Sequence, residues 1–335
     1  MNRRRIVQRV AIAIAGLALA PVFAAHPNSW YLRPQTAPAP ADNAVTPARV
    51  TLGKALFFDP RLSGSDWISC ASCHNPALGW SDGLAKATGD GMKTLGRATP
   101  TIVNAAFNPV QFWDGRKPTL EEQALGPLTA AAEMHGSIAD MKRKLEAIAG
   151  YRQMFEAAYP GEPIDGKTIA KAIASFERTV LSTDSPFDRW MRGDQHAMSE
   201  AAKRGFEVFR GPGNCETCHS GFNFTDNGFH NIGLKDPDGH EDLGRYAQVK
   251  LAVLKGAFKT PTLRNVALTG PYMHNGCYKT LEEVVDHYAR GGDVKDNLSP
   301  DMKPIHLSER QKADLVAFLE SLTGSPTVTV PQLPQ

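Results

Sequence analysis

Two short patterns carry the clearest chemistry in this chain: Cys70-Ala71-Ser72-Cys73-His74 and Cys215-Glu216-Thr217-Cys218-His219. Both read C-x-x-C-H, the attachment signature of c-type haem. Two thiols about one helical turn apart add to the two vinyl groups of one porphyrin. The next residue then lies under the iron, where a neutral imidazole is the natural axial ligand. Zinc ribbons also pair C-x-x-C motifs, but at a separation of about 15–20 residues; Cys73 and Cys215 lie in separate halves of the chain. A dithiol redox pair would leave both histidines unexplained. The residues therefore predict two haem c groups, attached at Cys70, Cys73, Cys215 and Cys218, with His74 and His219 on the irons. Cys277 is left over and is expected to be buried and inert.

Something must position these motifs, and the helical pattern supplies it. Leu52–Phe58 before the first motif and Ala202–Phe209 before the second are both amphipathic helix patterns followed by a Gly-containing loop. The chain thus reads as a loose internal duplication. Thr119-Leu-Glu-Glu122, Thr280-Leu-Glu-Glu283 and Ser308-Glu-Arg-Gln311 read as capping boxes opening further helices. Ile169, Ile173, Phe176 and Val180 mark another helix. Leu315, Phe318, Leu319 and Leu322 mark a C-terminal one, expected to pack on the helix before the second motif. Strand signals are few. Residues 183–194, with Pro186 and Gly193, read as a link, and residues 326–335 as a Pro-rich extended tail.

The N-terminus has a targeting pattern. Arg3, Arg4 and Arg5 precede an apolar run over Val10–Ala20, and small residues follow. This predicts a secretory signal peptide over residues 1–24 and a periplasmic location. The apolar run is short of the roughly 20 residues a spanning helix needs, so no membrane span is expected after processing. Of 335 residues 42% are hydrophobic, enough for a sizeable core, and the net charge is +2 with scattered basic residues. No nucleic-acid partner is expected.

From about Val50 to Leu322 the chain resembles the bacterial di-haem cytochrome c peroxidases and their MauG-type relatives. The resemblance rests on Leu56-Phe-Phe-Asp-Pro-Arg-Leu62, Pro100-Thr-Ile-Val-Asn-Ala105, Gln111-Phe-Trp-Asp-Gly-Arg116, Glu133-Met134, Thr262-Leu-Arg-Asn-Val-Ala-Leu-Thr-Gly-Pro-Tyr272 and both haem motifs. It implies a mainly α fold of two cytochrome c-type domains, each with one covalent haem and the haems near the domain interface. Residues 40–185 would form the N-terminal domain with the peroxidatic haem. Residues 195–325 would form the C-terminal domain with the electron-transfer haem. Trp113 would lie between the haems, and Glu133, Gln123 and Pro127 would stand in the distal pocket of the first. The chemistry agrees on Glu133: cleaving peroxide moves a proton from the inner to the outer oxygen, and a carboxylate whose pKa burial has raised can carry it.

Two positions depart from the peroxidase pattern. The family's loop histidine, which caps the first iron, is replaced by Asp90 in Gly89-Asp90-Gly91-Met92. A carboxylate there is a poor substitute ligand, so the first haem is expected to have an open face, with Met92 as a weaker contender. At the second haem the family's methionine ligand falls at Tyr288, the MauG-type placement. Leu281, Val284, Val285 and Tyr288 share one apolar helix face, while Met273 and His287 are competing ligands. The family's calcium would take carbonyls at Thr269 and Pro271, but its asparagine ligand falls at Ala98, which weakens the site.

The resemblance implies a peroxidase reducing hydrogen peroxide with electrons from a small exported cytochrome c or cupredoxin. The alternatives are a MauG-like enzyme oxidising side chains of a partner protein and a non-enzymatic electron carrier. A carrier needs no distal pocket. The family also suggests a homodimer, for which the sequence supplies no physical argument.

Overall fold

The computed structural model describes residues 29–324 and 328–335. The expected signal peptide lies outside the described residues, as do the first two residues of the expected tail. The fold is mainly helical. Its helices are α1 Pro47–Phe58, α2 Cys70–Cys73, α3 Leu120–Thr129, α4 Ile138–Ala147, α5 Ala149–Ala158, α6 Gly166–Glu177, α7 Pro186–Met191, α8 Glu200–Arg210, α9 Leu281–Ala289 and α10 Glu309–Ser321. Two short strands, β1 Phe229–His230 and β2 Phe258–Lys259, pair antiparallel. No described helix is long and apolar enough to cross a membrane.

Apolar side chains gather in two clusters. The first draws on α1, α3, α4, α5 and α6, with Phe57, Trp80 and Phe176 packed tilted or edge-to-face. The second draws on α7, α8, α9 and α10. Its centre is a nest of Phe187, Phe206, Phe209, Phe224 and Phe318, with ring centroids 5.0–5.9 Å apart. Such contacts add about 0.5–1.5 kcal/mol each beyond buried area.

One packing device recurs. α1 crosses α6 so closely that a Cβ on Gly53 would lie 1.8 Å from the Ala172 carbonyl oxygen. α8 crosses α10 in the same way, and a Cβ on Gly205 would lie 1.8 Å from the Asp314 carbonyl oxygen. Only a glycine on α1 and on α8 admits these crossings. The expected packing of α10 on the helix before the second motif is thus present, and α6 on α1 is its counterpart.

The expected link at residues 183–194 carries a short helix, α7. Pro186 sits at the start of α7, where a missing N–H costs nothing. Ser185 caps α7 by accepting from the Asp188 amide at 3.1 Å, and Phe187 is fully buried in the second cluster. The chain ends also cross over. Tyr31 packs in the second cluster, while Val328 packs on the first and the Pro334 carbonyl accepts from Arg61 at 3.0 Å. The capping boxes at Thr280 and Ser308 are complete. At α3 only half of one forms: Thr119 accepts from Glu122 N–H at 3.1 Å, but the Glu122 carboxylate turns toward Lys117.

Candidate functional site

Both C-x-x-C-H motifs open into one cavity of about 1110 Å³. A single drug-sized ligand occupies about 300–1,000 Å³, so this space exceeds an ordinary single-ligand pocket. Cys70, Cys73, His74, Cys215, Cys218 and His219 all line it. Each histidine is oriented by one backbone bond. His74 Nδ1–H donates to the Trp80 carbonyl at 3.2 Å, and His219 Nδ1–H to the Phe224 carbonyl at 2.9 Å. Trp80 and Phe224 both have left-handed backbones, φ 63° and 50°, which turn their carbonyls back to the ring. Burial lowers the pKa of both histidines. Each ring is therefore neutral with Nε2 left to bind a metal, the state an axial ligand needs. The donor set and the space fit two covalently attached haems.

The walls of the cavity are built twice from one plan. Gln111 bridges Lys117, and Tyr272 bridges Tyr278, so residues 112–116 and 273–277 form matching tight hairpins. Phe112 and Met273 both take positive φ, as do Gly115 and Gly276. Gly276 admits no side chain, because a Cβ would lie 2.3 Å from Ala85. Each hairpin runs into a threonine-capped helix, α3 or α9. The two copies are 161 positions apart. In this register Trp113 matches His274, Gln123 matches Val284, and Pro127 matches Tyr288. Asn104 and Asn265, both left-handed, obey the same register.

At the first motif the cavity is lined by Gln123, Pro127 and Glu133. Glu133 sits in a turn after α3 that folds back on itself. Its N–H donates to the Ala130 carbonyl at 3.0 Å, and Met134 N–H to the Pro127 carbonyl at 3.1 Å. Burial raises the Glu133 pKa, against a smaller opposing pull from Arg116. Asp90 is placed outside this cavity wall. Its N–H donates to the Glu133 carbonyl at 2.7 Å, and its carboxylate is engaged by the Ser65 hydroxyl and by His135 at 3.3 Å. The residue replacing the expected histidine thus braces the Glu133 turn. Met92 is 72% exposed and does not line the cavity, which removes it as a ligand: its positive φ turns it to solvent.

At the second motif the corresponding wall is apolar: Leu281, Val284, Val285 and Tyr288. Burial, reinforced by Cys215 and Cys218, pushes the Tyr288 phenol well above its ordinary pKa. It stays protonated unless a bound cation draws the proton off. Met273 also lines the cavity. His287, weighed above as a ligand, does not. Its Nε2–H donates to the Ile232 carbonyl at 2.9 Å and its Nδ1 meets the Tyr278 hydroxyl at 2.9 Å, so both ring nitrogens are spent.

Trp113 lines the same cavity. Its indole N–H donates to the Ala98 carbonyl at 2.9 Å, and its own carbonyl accepts from Lys259 N–H at 2.8 Å. It meets His274 edge-on, centroids 6.4 Å apart, and His274 stacks flat on Phe258. Burial lowers the His274 pKa to about 4. Beneath them Arg97 binds Asp242 through two bonds of 2.7 and 2.8 Å and reaches Asp114 at 2.9 Å.

Cys277 is half-buried, and burial raises its thiol to about 11, so it is not a reactive thiolate at neutral pH. His230 bonds Asp226 at 2.9 Å beside Cys218. Sequence reasoning also missed two buried cavity residues, Glu177 and Lys259. No spacing or motif marks either one. The calcium ligands fit poorly. Thr269 and Pro271 supply only carbonyls, Ala98 supplies none from its side chain, and the only cluster of metal-ligand side chains among the described residues is Cys218, Asp226 and His230.

Comparison with known proteins gives a consistent result. The family model described as di-haem cytochrome c peroxidase matches residues 47–196. The chain is 49% identical over 308 residues to the methylamine utilization protein MauG of Methylorubrum extorquens, covering 91% of this chain and 86% of that protein. It is 38% identical over 291 residues to the cytochrome c551 peroxidase of Pseudomonas aeruginosa, covering 84% and 81%. Among solved structures, a MauG-like protein associated with microbial copper homeostasis matches with a TM-score of 0.81 and 34% identity, over 92% of this chain and 96% of that one. The diheme peroxidase BthA from Burkholderia thailandensis matches with a TM-score of 0.73 and 25% identity, over 84% and 87%.

Proposed function

The chain belongs to the di-haem cytochrome c peroxidases of the MauG type, oxidoreductases that act on peroxide, and on that premise we propose that its two haem sites divide the work. Family membership implies two covalent haem c groups. Residues 40–185 would form the domain holding the first on His74, and residues 195–325 the domain holding the second on His219. When bound, the first haem would supply the iron at which the O–O bond of peroxide is cleaved, and the second would supply and store electrons.

The protein's own groups do the rest. Glu133 takes the proton from the inner peroxide oxygen and returns it to the outer one, which leaves as water. Its raised pKa, caused by burial, brings it nearer the operating pH and so suits both halves of that transfer. Gln123 hydrogen-bonds and orients the peroxide. Pro127 offers no donor atom and would supply no ligand to the first haem. Tyr288 would hold the second haem's iron, with Met273 the alternative. A hard phenolate there would lower that haem's potential relative to a thioether. Trp113 couples the two sites. No step is assigned to calcium.

The observation that carries this reading is the wall of Gln123, Pro127 and Glu133, with its amide and its buried carboxyl, lining the cavity that the first motif shares. Substituting Glu133→Gln should lower steady-state peroxide turnover by about 100-fold or more with both haems still attached. Near-normal turnover would remove Glu133 from the mechanism.

The electron source under this reading is a small exported cytochrome c or cupredoxin, and the location is the periplasm. A second reading is favoured by Tyr288 and by the 49% identity to MauG: oxidation of side chains on a partner protein. The two separate on donor dependence. A peroxidase consumes two electrons from a small redox protein per peroxide, whereas a side-chain oxidase consumes peroxide in step with a mass change on its protein substrate.

A further inference from the structure

Among the described residues, the cavity holds one buried cation that no anion answers. Lys259, in β2, is 8% exposed and lines the cavity. The other cations of the wall are committed or open to water. Arg97 binds Asp242 and Asp114, Arg116 binds Asp114, and Lys255 binds Glu241; Lys235 and Lys303 are exposed. Burial pushes the Lys259 amine down to about 8, and Asp226 opposes this only at longer range. Burying an ammonium without a partner is strongly unfavourable. A fold that keeps one facing a cavity is built for an anion that arrives with the cavity's contents.

The attachment motifs say what those contents are. A haem carries two propionate carboxylates on the edge away from its thioether bonds. We propose that Lys259 is the counter-ion of a haem propionate in the space between the two sites. This rests on the haem reading above. The pair would be tied to the coupling residue itself, because Lys259 N–H donates to the Trp113 carbonyl at 2.8 Å. The adjacent Phe258 ring stacks on His274, centroids 3.5 Å apart. Lys259 is therefore a positioning residue. It fixes one haem edge relative to Trp113, and its charge favours the reduced iron, which carries one positive charge fewer.

Spectroelectrochemical titration of the haem-loaded protein tests this. Lys259→Met should shift the midpoint potential of at least one haem downward, and Lys259→Arg should restore it toward wild type. Potentials unchanged for both haems in Lys259→Met would overturn the proposal. If Lys259→Met does not load with haem, Lys259→Arg decides through the resonance Raman propionate bending mode. A shifted band supports the pair and an unchanged band overturns it. Haem content by the pyridine haemochrome assay keeps the two claims apart. Fewer than two haems per wild-type chain would sink the haem reading, whereas two haems with unmoved potentials would sink only the role of Lys259.

Discussion

The two halves of the cavity share a framework and differ in what they present to it. Each has a helix pair crossed over a glycine, a left-handed residue whose carbonyl holds the histidine of the C-x-x-C-H motif, a tight hairpin and a threonine-capped helix. On that common plan Pro127 and Tyr288 occupy the same place, as do Gln123 and Val284. One wall presents an amide and a carboxyl, while the other is apolar except for a single phenol. The framework sets where an iron can sit, and a few side chains on one helix face decide whether its far side stays open.

The contrast is broken most severely by copying one half into the other. Pro127→Tyr places a phenol where the repeat has Tyr288. It should close the first site and lower peroxide turnover by about 100-fold or more, an effect like that of losing the proton carrier. Steady-state assay of the haem-loaded variant checks this. Undiminished turnover would mean that the two helix positions are not equivalent.

Tyr288→Phe tests the other half. Removal of the phenol should change the optical and EPR signature of the second haem and leave that of the first in place. A sulfur-to-iron charge-transfer band in the wild type would give the position to Met273 instead.

The shared framework has its own test. Gly53→Ala and Gly205→Ala each force a methyl against a backbone carbonyl at 1.8 Å. Each should destabilise by about 1–3 kcal/mol, read as matched falls in Tm. A large loss at one site alone would show that the halves are not packed alike.

The smallest effect concerns Glu177, which is buried beside Cys70 with one carboxylate oxygen unpartnered. Burial raises its pKa to about 8, whereas an unfolded glutamate ionises near about 4.3. Between these values the native state holds more protons than the unfolded state. Stability from this group is full below the lower value and is lost as pH rises toward the upper one. Wild-type Tm should therefore fall between pH 5 and pH 8, and Glu177→Gln should flatten that fall. Parallel curves for the two proteins would contradict the assignment.

Much of this was legible from residue types and spacing, because covalent haem attachment needs a fixed tripeptide spacing and helices need caps. The helices before both motifs, the cap at Thr280 and the inward face holding Tyr288 all follow from local pattern. What was not legible depends on contacts distant in sequence. The hairpin register pairing Pro127 with Tyr288 shows only when both turns are seen folded, since Trp113 and His274 share no chemistry. Residues 183–194 read as a link because Pro186 and Gly193 are breakers. In the fold, however, Pro186 starts a helix that buries Phe187. His287 reads as a ligand in sequence, but in the fold Tyr278 and the sequence-distant Ile232 carbonyl occupy its ring. Lys259 and Glu177 are ordinary charged residues in sequence, and only burial around the cavity makes them unusual.

The central claim is one open iron and one closed iron on the same framework. Low-temperature EPR of the oxidised, haem-loaded protein tests it most directly. The account predicts one high-spin ferric haem and one low-spin haem of equal intensity. Two low-spin signals would contradict it, because a sixth ligand would then stand on the first iron, over the wall formed by Gln123, Pro127 and Glu133.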